Sequence, residues 1–391
     1  MMNIKELAKA QEEYIVKTRR YLHMHPELSR FEYETTKYII AELESMGIEV
    51  ISYDNITGCM GIIKGSHPGK TVILRADIDA LPIEEASEKE YCSLNKGVMH
   101  ACGHDCHTAM LLAAAKILNE HRDEINGTVK LLFQMGEEVA RCSEEYVKRG
   151  AIDGADAIFG MHIWSPVEKG KANFEYGERM ACSDRFTIHV HGLLAHGSAP
   201  HLGKDAILAA SAAVMALQSI ASRQMNPLDT LVVTVGKMNG GTKQNILADD
   251  VELVGTVRTF DREFRSSMPK RIEEVAKNAV AAYGCTADCT YFFGPSPLIN
   301  DDKKLVDIAQ AAAEKVLGDD CLVPLTKSTG AEDFSVYLEH IPGVYGYLGF
   351  KNESCDFTAP NHHPLFDVDE SVLPDGTAIY AQFAMDFLNN N

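Results

Sequence analysis

The sequence predicts an α/β chain built in two parts. A discontinuous α/β domain would occupy 1–178 and 293–391, with a smaller α+β domain inserted at 179–292. Three observations predict this. Apolar runs of strand length alternate with helical segments from Gly58 to His162. Near Arg179 the texture changes to the strict alternation of half-buried strands. At Asp301 the α/β texture resumes.

The elements follow in order. Residues 6–25 read as a helix broken near His25-Pro26, and Glu32 to Ser45 as a second that stops at Met46-Gly47. Strands are expected over 58–64 and 71–77, then a long apolar helix over 108–120, entered from the turn HACGHDCH. Strands over 128–134 and 157–162 continue the alternation. In the insert, DRFTIHVHG is a strand, 204–222 an Ala-rich helix, 230–236 and 251–260 strands, 269–283 a helix and TADCTYFFG a strand. The order β-α-β-β-α-β describes a ferredoxin-like unit with one layer of helices.

The net charge of -19, from 37 basic and 56 acidic residues, disfavours nucleic acid as a partner, because nothing offsets phosphate repulsion. The N-terminal MMNIKELAKAQEEYIVKTRRY alternates charge and lacks a signal peptide's apolar core. No apolar run approaches a membrane span, so no membrane partner is expected. The 10 cysteines show no framework spacing, which predicts free thiols in a reducing cytoplasm. Cys59, Cys92 and Cys182 read as core packing or incidental surface residues rather than as chemistry.

The residues that carry chemistry lie beside expected strand ends. HACGHDCH places Cys102, His104, Asp105 and His107 together, between an apolar segment and a helix start. A thiolate and imidazoles at that spacing suit a divalent metal; the bland alternative is a structural turn with a buried thiol. Asp105 and His107 are candidates to orient ligands. In VKLLFQMGEE, Glu137 and Glu138 are adjacent, so their carboxylates point different ways: one can bind metal while the other faces water. A helix start, where the dipole favours acids, accounts for the pair as well. RADIDALP puts Asp77 and Asp79 at a strand's carboxyl end, where ligand crevices form, or in a plain turn. His162 ends AIFGMHIW, and His362 lies in NHHPLF. In the insert, His196 and His201 occupy a Gly-containing loop, Asn245 a loop with paired glycines, and Arg258 a strand end from which it can clamp a carboxylate or pair with a nearby acid. Glu332 and Asp333 in STGAEDFS either cap a helix or line a site.

The ordered motifs HPELS, RADIDALP, HACGHDCHTAMLL, GEE, GMH, HGSAPHLGKDAI, GGTKQN, GTVRTF, AEDF and NHHPLFDVDE run nearly end to end. Together they resemble the amidohydrolase subfamily of the M20 metallopeptidase superfamily, which includes N-acyl-amino-acid amidohydrolases, hippurate hydrolases and auxin-conjugate hydrolases. The resemblance implies a dinuclear-metal exopeptidase-like catalytic domain with an inserted lid and dimerisation domain. It implies two divalent ions per subunit (Zn²⁺, Mn²⁺, Co²⁺ or Ni²⁺) on Cys102, His104, Glu138, His162 and His362. It assigns Glu137 as general base, Asp79 to orient a ligand histidine, and His196 to complete a site, in many relatives a partner subunit's. Two positions depart from the pattern. Cys106 stands where a small residue is usual, and His363 follows the terminal ligand.

The expected activity is metal-dependent hydrolysis of the amide of an N-acyl amino acid, with Asn245, Arg258 and His201 contacting substrate. The expected assembly is a homodimer or a higher homo-oligomer. A dipeptidase or carboxypeptidase is the nearest alternative. A noncatalytic binding protein on the same fold would lack a ligand or Glu137, and none is missing.

Overall fold

The computed structural model describes residues 3–139, 141–355 and 359–389. In chain order, it begins with α1 (Ile4–Ala10), α2 (Glu12–Met24), α3 (Tyr33–Ser45), β1 (Glu49–Ser52), β2 (Cys59–Lys64) and β3 (His67–Asp77). Next come α4 (His104–Glu120), β4 (Asn126–Gln134), α5 (Ser143–Lys148), β5 (Ala157–Glu168), β6 (Ala172–Asn173) and β7 (Gly177–Met180). Then β8 (Asp184–His191), α6 (Ala206–Ser219), β9 (Leu231–Gly240), β10 (Asp250–Thr259), α7 (Arg262–Ala281) and β11 (Thr286–Phe292) follow. The chain closes with β12 (Leu298–Asn300), α8 (Lys303–Leu317), β13 (Gly343–Lys351) and α9 (Leu373–Asn389).

Two compact units emerge. The first takes Met1–Gly177, Asn300–Thr326 and Val336–Asn391; the second takes Glu178–Ile299 and Lys327–Ser335. The short segment Lys327–Ser335 lies outside the insert expected from the sequence.

The first unit is built on a seven-stranded mixed sheet of order β1-β2-β4-β3-β5-β13-β6. Its central strands β3, β4, β5 and β13 run parallel. Central parallel strands are covered on both faces, which is why β3 reads as the unbroken run VILRA and is buried throughout it. The helix α4 packs in that core and buries almost its whole surface, His104 to Ala115 without interruption. It begins at His104, four residues before the expected start. Gly103 makes this possible: it caps the helix at φ 86, and a Cβ there would lie 2.3 Å from Ile163 Cδ1. The sheet strand β13 and the buried C-terminal helix α9 have no counterpart among the sequence expectations.

The second unit carries a four-stranded antiparallel sheet of order β11-β8-β10-β9. The chain order β8-α6-β9-β10-α7-β11 matches the expected β-α-β-β-α-β pattern. Helix α7 starts at Arg262, capped by Asp261, and runs through Pro269, where the sequence expectation had placed its start. Ala206–Gln224 corrects another expectation. Over 19 residues its mean hydropathy is 1.4, enough in length and composition for a membrane span. Its buried side, Ala206, Ala209, Ala210, Ala213 and Leu217, belongs to the core of the second unit.

Candidate dinuclear metal centre

Sheet register gathers the site. Asp77, the last residue of β3, pairs with Gln134, the last of β4. Arg75 pairs with Gly160, so His162 on β5 comes level with Asp77. The chain leaves β3 through α4 to β4 on one side, then crosses back through α5 to β5 on the other. Ligand crevices open at the carboxyl ends of strands where the order reverses in this way. Asp79, the turn carrying Glu137 and Glu138, and His162 all follow from these strand ends, and His104 from the helix packed beside them.

The side chains converge within the first unit. Cys102 Sγ lies 3.3 Å from His162 Nε2 and 3.3 Å from His362 Nε2. Glu138 Oε1 lies 3.2 Å from His362 Nε2 and 4.0 Å from His104 Nε2. Cys102, His104 and His162 form one group whose ligand atoms all fall within 4.8 Å, and Cys102, Glu138 and His362 form a second. Glu137 joins His104 and Glu138 in a third such group. His362, not His363, faces the cluster: it adopts φ 67 while its N–H donates to Ala101 O at 2.7 Å. The His363 Nδ1 instead accepts the Leu365 N–H at 3.1 Å.

Supporting residues fix these candidate ligands. Asp79, 1% exposed, holds His104 Nδ1 at 3.1 Å and accepts the Glu138 N–H at 3.0 Å. That leaves His104 Nε2 aimed at the cluster, buried and, among the described residues, without a hydrogen-bond partner. Asp77 binds His107 Nδ1 at 2.5 Å, and His107 Nε2 in turn accepts the Ile163 N–H at 2.9 Å, next to His162. Asp105 faces away from the cluster, into a buried pair with Arg19 at 2.8 Å. Sequence reasoning missed Asn361, whose amide reaches Cys102 O at 3.3 Å, and the Arg75 guanidinium, which donates to Asp77 at 2.6 Å. Position beside His362 and strand alternation were the available signals.

Residues 73–386 match the model of peptidase family M20/M25/M40. This chain belongs to that family. It is 40% identical to the N-acetyl-L-cysteine deacetylase of Bacillus subtilis (strain 168), over 97% of this chain and 89% of the relative. It is 38% identical to thermostable carboxypeptidase 2 of Saccharolobus solfataricus, over 99% of this chain and 98% of the relative. A solved Bacillus subtilis structure described as a dinuclear metal binding peptidase from the M20 family superposes with a TM-score of 0.86. The identity is 36%, over 98% of this chain and 100% of that one.

Charge in this M20 site favours bound cations. Burial, with the Glu138 and Glu137 carboxylates beside it, pushes the Cys102 thiol well up. Burial works against protonation of His104, yet Asp77, Asp79 and Glu138 together outweigh it and push its pKa up to about 10. Burial holds His162 well down, with His107 adding to the effect. A buried, acid-rich pocket that raises a thiol and protonates a histidine is one that a divalent ion would neutralise, releasing protons as it binds. One thiolate, three imidazoles and a carboxylate also suit late first-row divalent ions.

The insert residues of this M20 chain lie in the second unit. There the Gly197 N–H donates to Asn245 O at 2.7 Å and His196 bridges to Ile246, so the His196 and Asn245 loops are neighbours. The Ser198 hydroxyl lies 2.7 Å from His196 Nδ1, and the exposed His201 sits in a short turn of helix. Arg258 is half-buried and donates to the Thr256 hydroxyl and to Val257 O.

Proposed function

We propose that this chain hydrolyses the amide bond of N-acyl amino acids, releasing a carboxylate and a free amino acid. The convergence of Cys102, His104, Glu138, His162 and His362 beside Glu137 carries this reading. The deacetylase name of a relative 40% identical supports the substrate class. Two divalent ions, when bound by those five residues, supply a Lewis acid for the amide carbonyl and make water acidic enough to attack. Glu137, assigned to proton transfer rather than coordination, takes the proton of the attacking water and returns it to the leaving nitrogen. Asp79 holds His104 in the tautomer that presents Nε2. His196 donates to the tetrahedral oxyanion. Arg258, Asn245 and His201 hold the substrate carboxylate and nearby backbone.

The second unit is assigned as an inserted lid and dimerisation domain, and the assembly as a homodimer. On α6, Ile207 is 42%, Leu208 52% and Met215 74% exposed, an apolar surface that a second copy would cover. Nine cysteines among the described residues are free, which supports a cytoplasmic setting. The carboxypeptidase name of a relative matched over 99% of this chain favours a second reading, cleavage of C-terminal residues from peptides.

One experiment separates the readings. Metal-stripped protein is reloaded with Zn²⁺, Mn²⁺, Co²⁺ or Ni²⁺ and offered N-acetyl, N-benzoyl and N-succinyl amino acids beside dipeptides. Faster turnover of peptides than of every acyl amino acid overturns the first reading. Mixing His196→Ala with Glu137→Gln protein tests the shared site: restored turnover supports it, and none despite subunit exchange rejects it.

A further inference from the structure

The turn that carries Glu137 is gripped from beneath, residue by residue. The Met135 N–H donates to the Tyr146 hydroxyl at 2.9 Å, and that hydroxyl donates to Thr57 O at 2.6 Å. The Gly136 N–H donates to Glu32 Oε1 at 2.8 Å. The Glu138 N–H donates to Asp79 Oδ2, which also accepts the Ser29 hydroxyl at 2.6 Å. Glu137 thus sits between two peptides, each tied to a buried carboxylate.

Of these two acids, Asp79 already has a role through His104, whereas Glu32 has none. It is 0% exposed, and its other oxygen accepts the Thr57 hydroxyl at 2.5 Å. Gly136 can lie this close only because it lacks a side chain. At φ 64 a Cβ would fall 2.6 Å from Cys142 Sγ. The Gly136 backbone thus packs close to the Cys142 thiol while its N–H is held by the Glu32 carboxylate.

We infer that Glu32 is a positioning residue, whose carboxylate fixes the Gly136 peptide and through it the aim of the Glu137 side chain. This rests on Glu137 being the proton-transfer group. A buried carboxyl is an expensive acceptor for a backbone N–H. Burial, with the Asp79 charge also opposing ionisation, holds its pKa up at about 7 although the Thr57 hydrogen bond favours the ionised form. Once ionised, the carboxylate holds the Gly136 N–H in a charge-assisted hydrogen bond, stronger and shorter than the neutral one it makes when protonated. Remote misplacement on the order of 1 Å lowers catalysis about 10²-fold.

The test is a double-mutant cycle on metal-loaded protein. Glu32→Ala leaves the Gly136 N–H without its acceptor. It should lower kcat about 10- to 100-fold, leave KM nearly unchanged and leave both metals bound. Glu32→Gln keeps an oxygen at the same reach and should recover most of that loss; Glu32→Asp, one methylene shorter, should recover less. In a Glu137→Gln background, Glu32→Ala should cost almost nothing further, because the group it positions is already gone. An equal loss in both backgrounds overturns the inference, as does full kcat in Glu32→Ala. So does a loss that tracks metal content. If Glu32→Ala does not fold, the order of Glu32→Gln and Glu32→Asp decides, and the reverse order overturns it. If Glu137→Gln alone keeps wild-type turnover, the assignment of the base fails instead, and the cycle reads that separately.

Discussion

Two histidines of the candidate metal centre, His104 and His362, are held in opposite ways. His104 opens a helix, is fully buried, and is buttressed by the equally buried Asp79. His362 lies on a loop with a left-handed backbone, and its side chain is 52% exposed. Its loop is fastened further along, where the fully buried Arg19 guanidinium donates to Asp367 at 2.8 Å and Glu370 at 3.2 Å. The same guanidinium binds Asp105 at 2.8 Å, beside His104. One half of the candidate ligand set is thus preorganised by packing, and the other hangs on an ion network. The lesson is that two ions in one pocket need not be bound equally. The ion on His104 and His162 should be the tighter, and the ion that depends on His362 should leave first as chelator is added.

The largest effect that sharpens this contrast is chemical. Glu137→Gln should lower kcat by about 10² to 10⁴-fold while elemental analysis still finds both ions. Glu138→Gln should lose metal instead; the opposite pair of outcomes would exchange the two roles. Next come the ligands. Cys102 belongs to both ligand groups, so Cys102→Ala should weaken both ions, whereas His362→Ala should leave one ion bound at the stoichiometry read by elemental analysis. Equal loss of both ions from His362→Ala would erase the difference between the halves.

Arg19→Met probes the anchor of the looser half. It strands Asp105 and Asp367 in a buried setting, and breaking such a network costs about 3–5 kcal/mol in a urea titration. Asp79→Asn probes the tighter half and should weaken its metal affinity about 10- to 100-fold, measured by competition with a chelating dye.

The smallest effect is a pH dependence. The Glu32 carboxyl rises from 4.5 in the unfolded chain to about 7 in the fold. The folded state therefore keeps the proton longer, and ionisation costs stability. Relative to Glu32→Gln, the wild type should lose stability as pH rises from about 4.5 to about 7, by at most about 3 kcal/mol, and stay level beyond. Urea midpoints of both proteins at pH 5 and pH 8 measure it. A gap that widens in favour of the wild type with rising pH would reverse the sign.

What the sequence determined by itself was which residue types stand at which strand ends. Apolar runs marked three of the four central strands, β3, β4 and β5, because parallel strands buried on both faces must be apolar. Alternation in DRFTIHVHG marked the half-buried sheet of the second unit, seen as burial of every second residue in β8. HACGHDCH, GEE, GMH and NHH named the residues that now converge. Side-chain direction and support were decided only by the tertiary structure. The left-handed turn at Gly103 moved the start of α4 back to His104, and the left-handed turn at His362 aimed that ring rather than its neighbour. Asp105, read as a ligand-orienting residue, turns to Arg19 because the next residue along α4 is rotated by about 100° and leaves the face that carries His104. The partners that hold the site are distant in sequence: Glu32 and Gly136 are 104 residues apart, Arg19 and Asp367 348. Such pairs leave no local pattern of period or spacing. A buried carboxylate meets its donor only when helices and strand ends have packed, so residue identity announces the ligands while the fold chooses what steadies them.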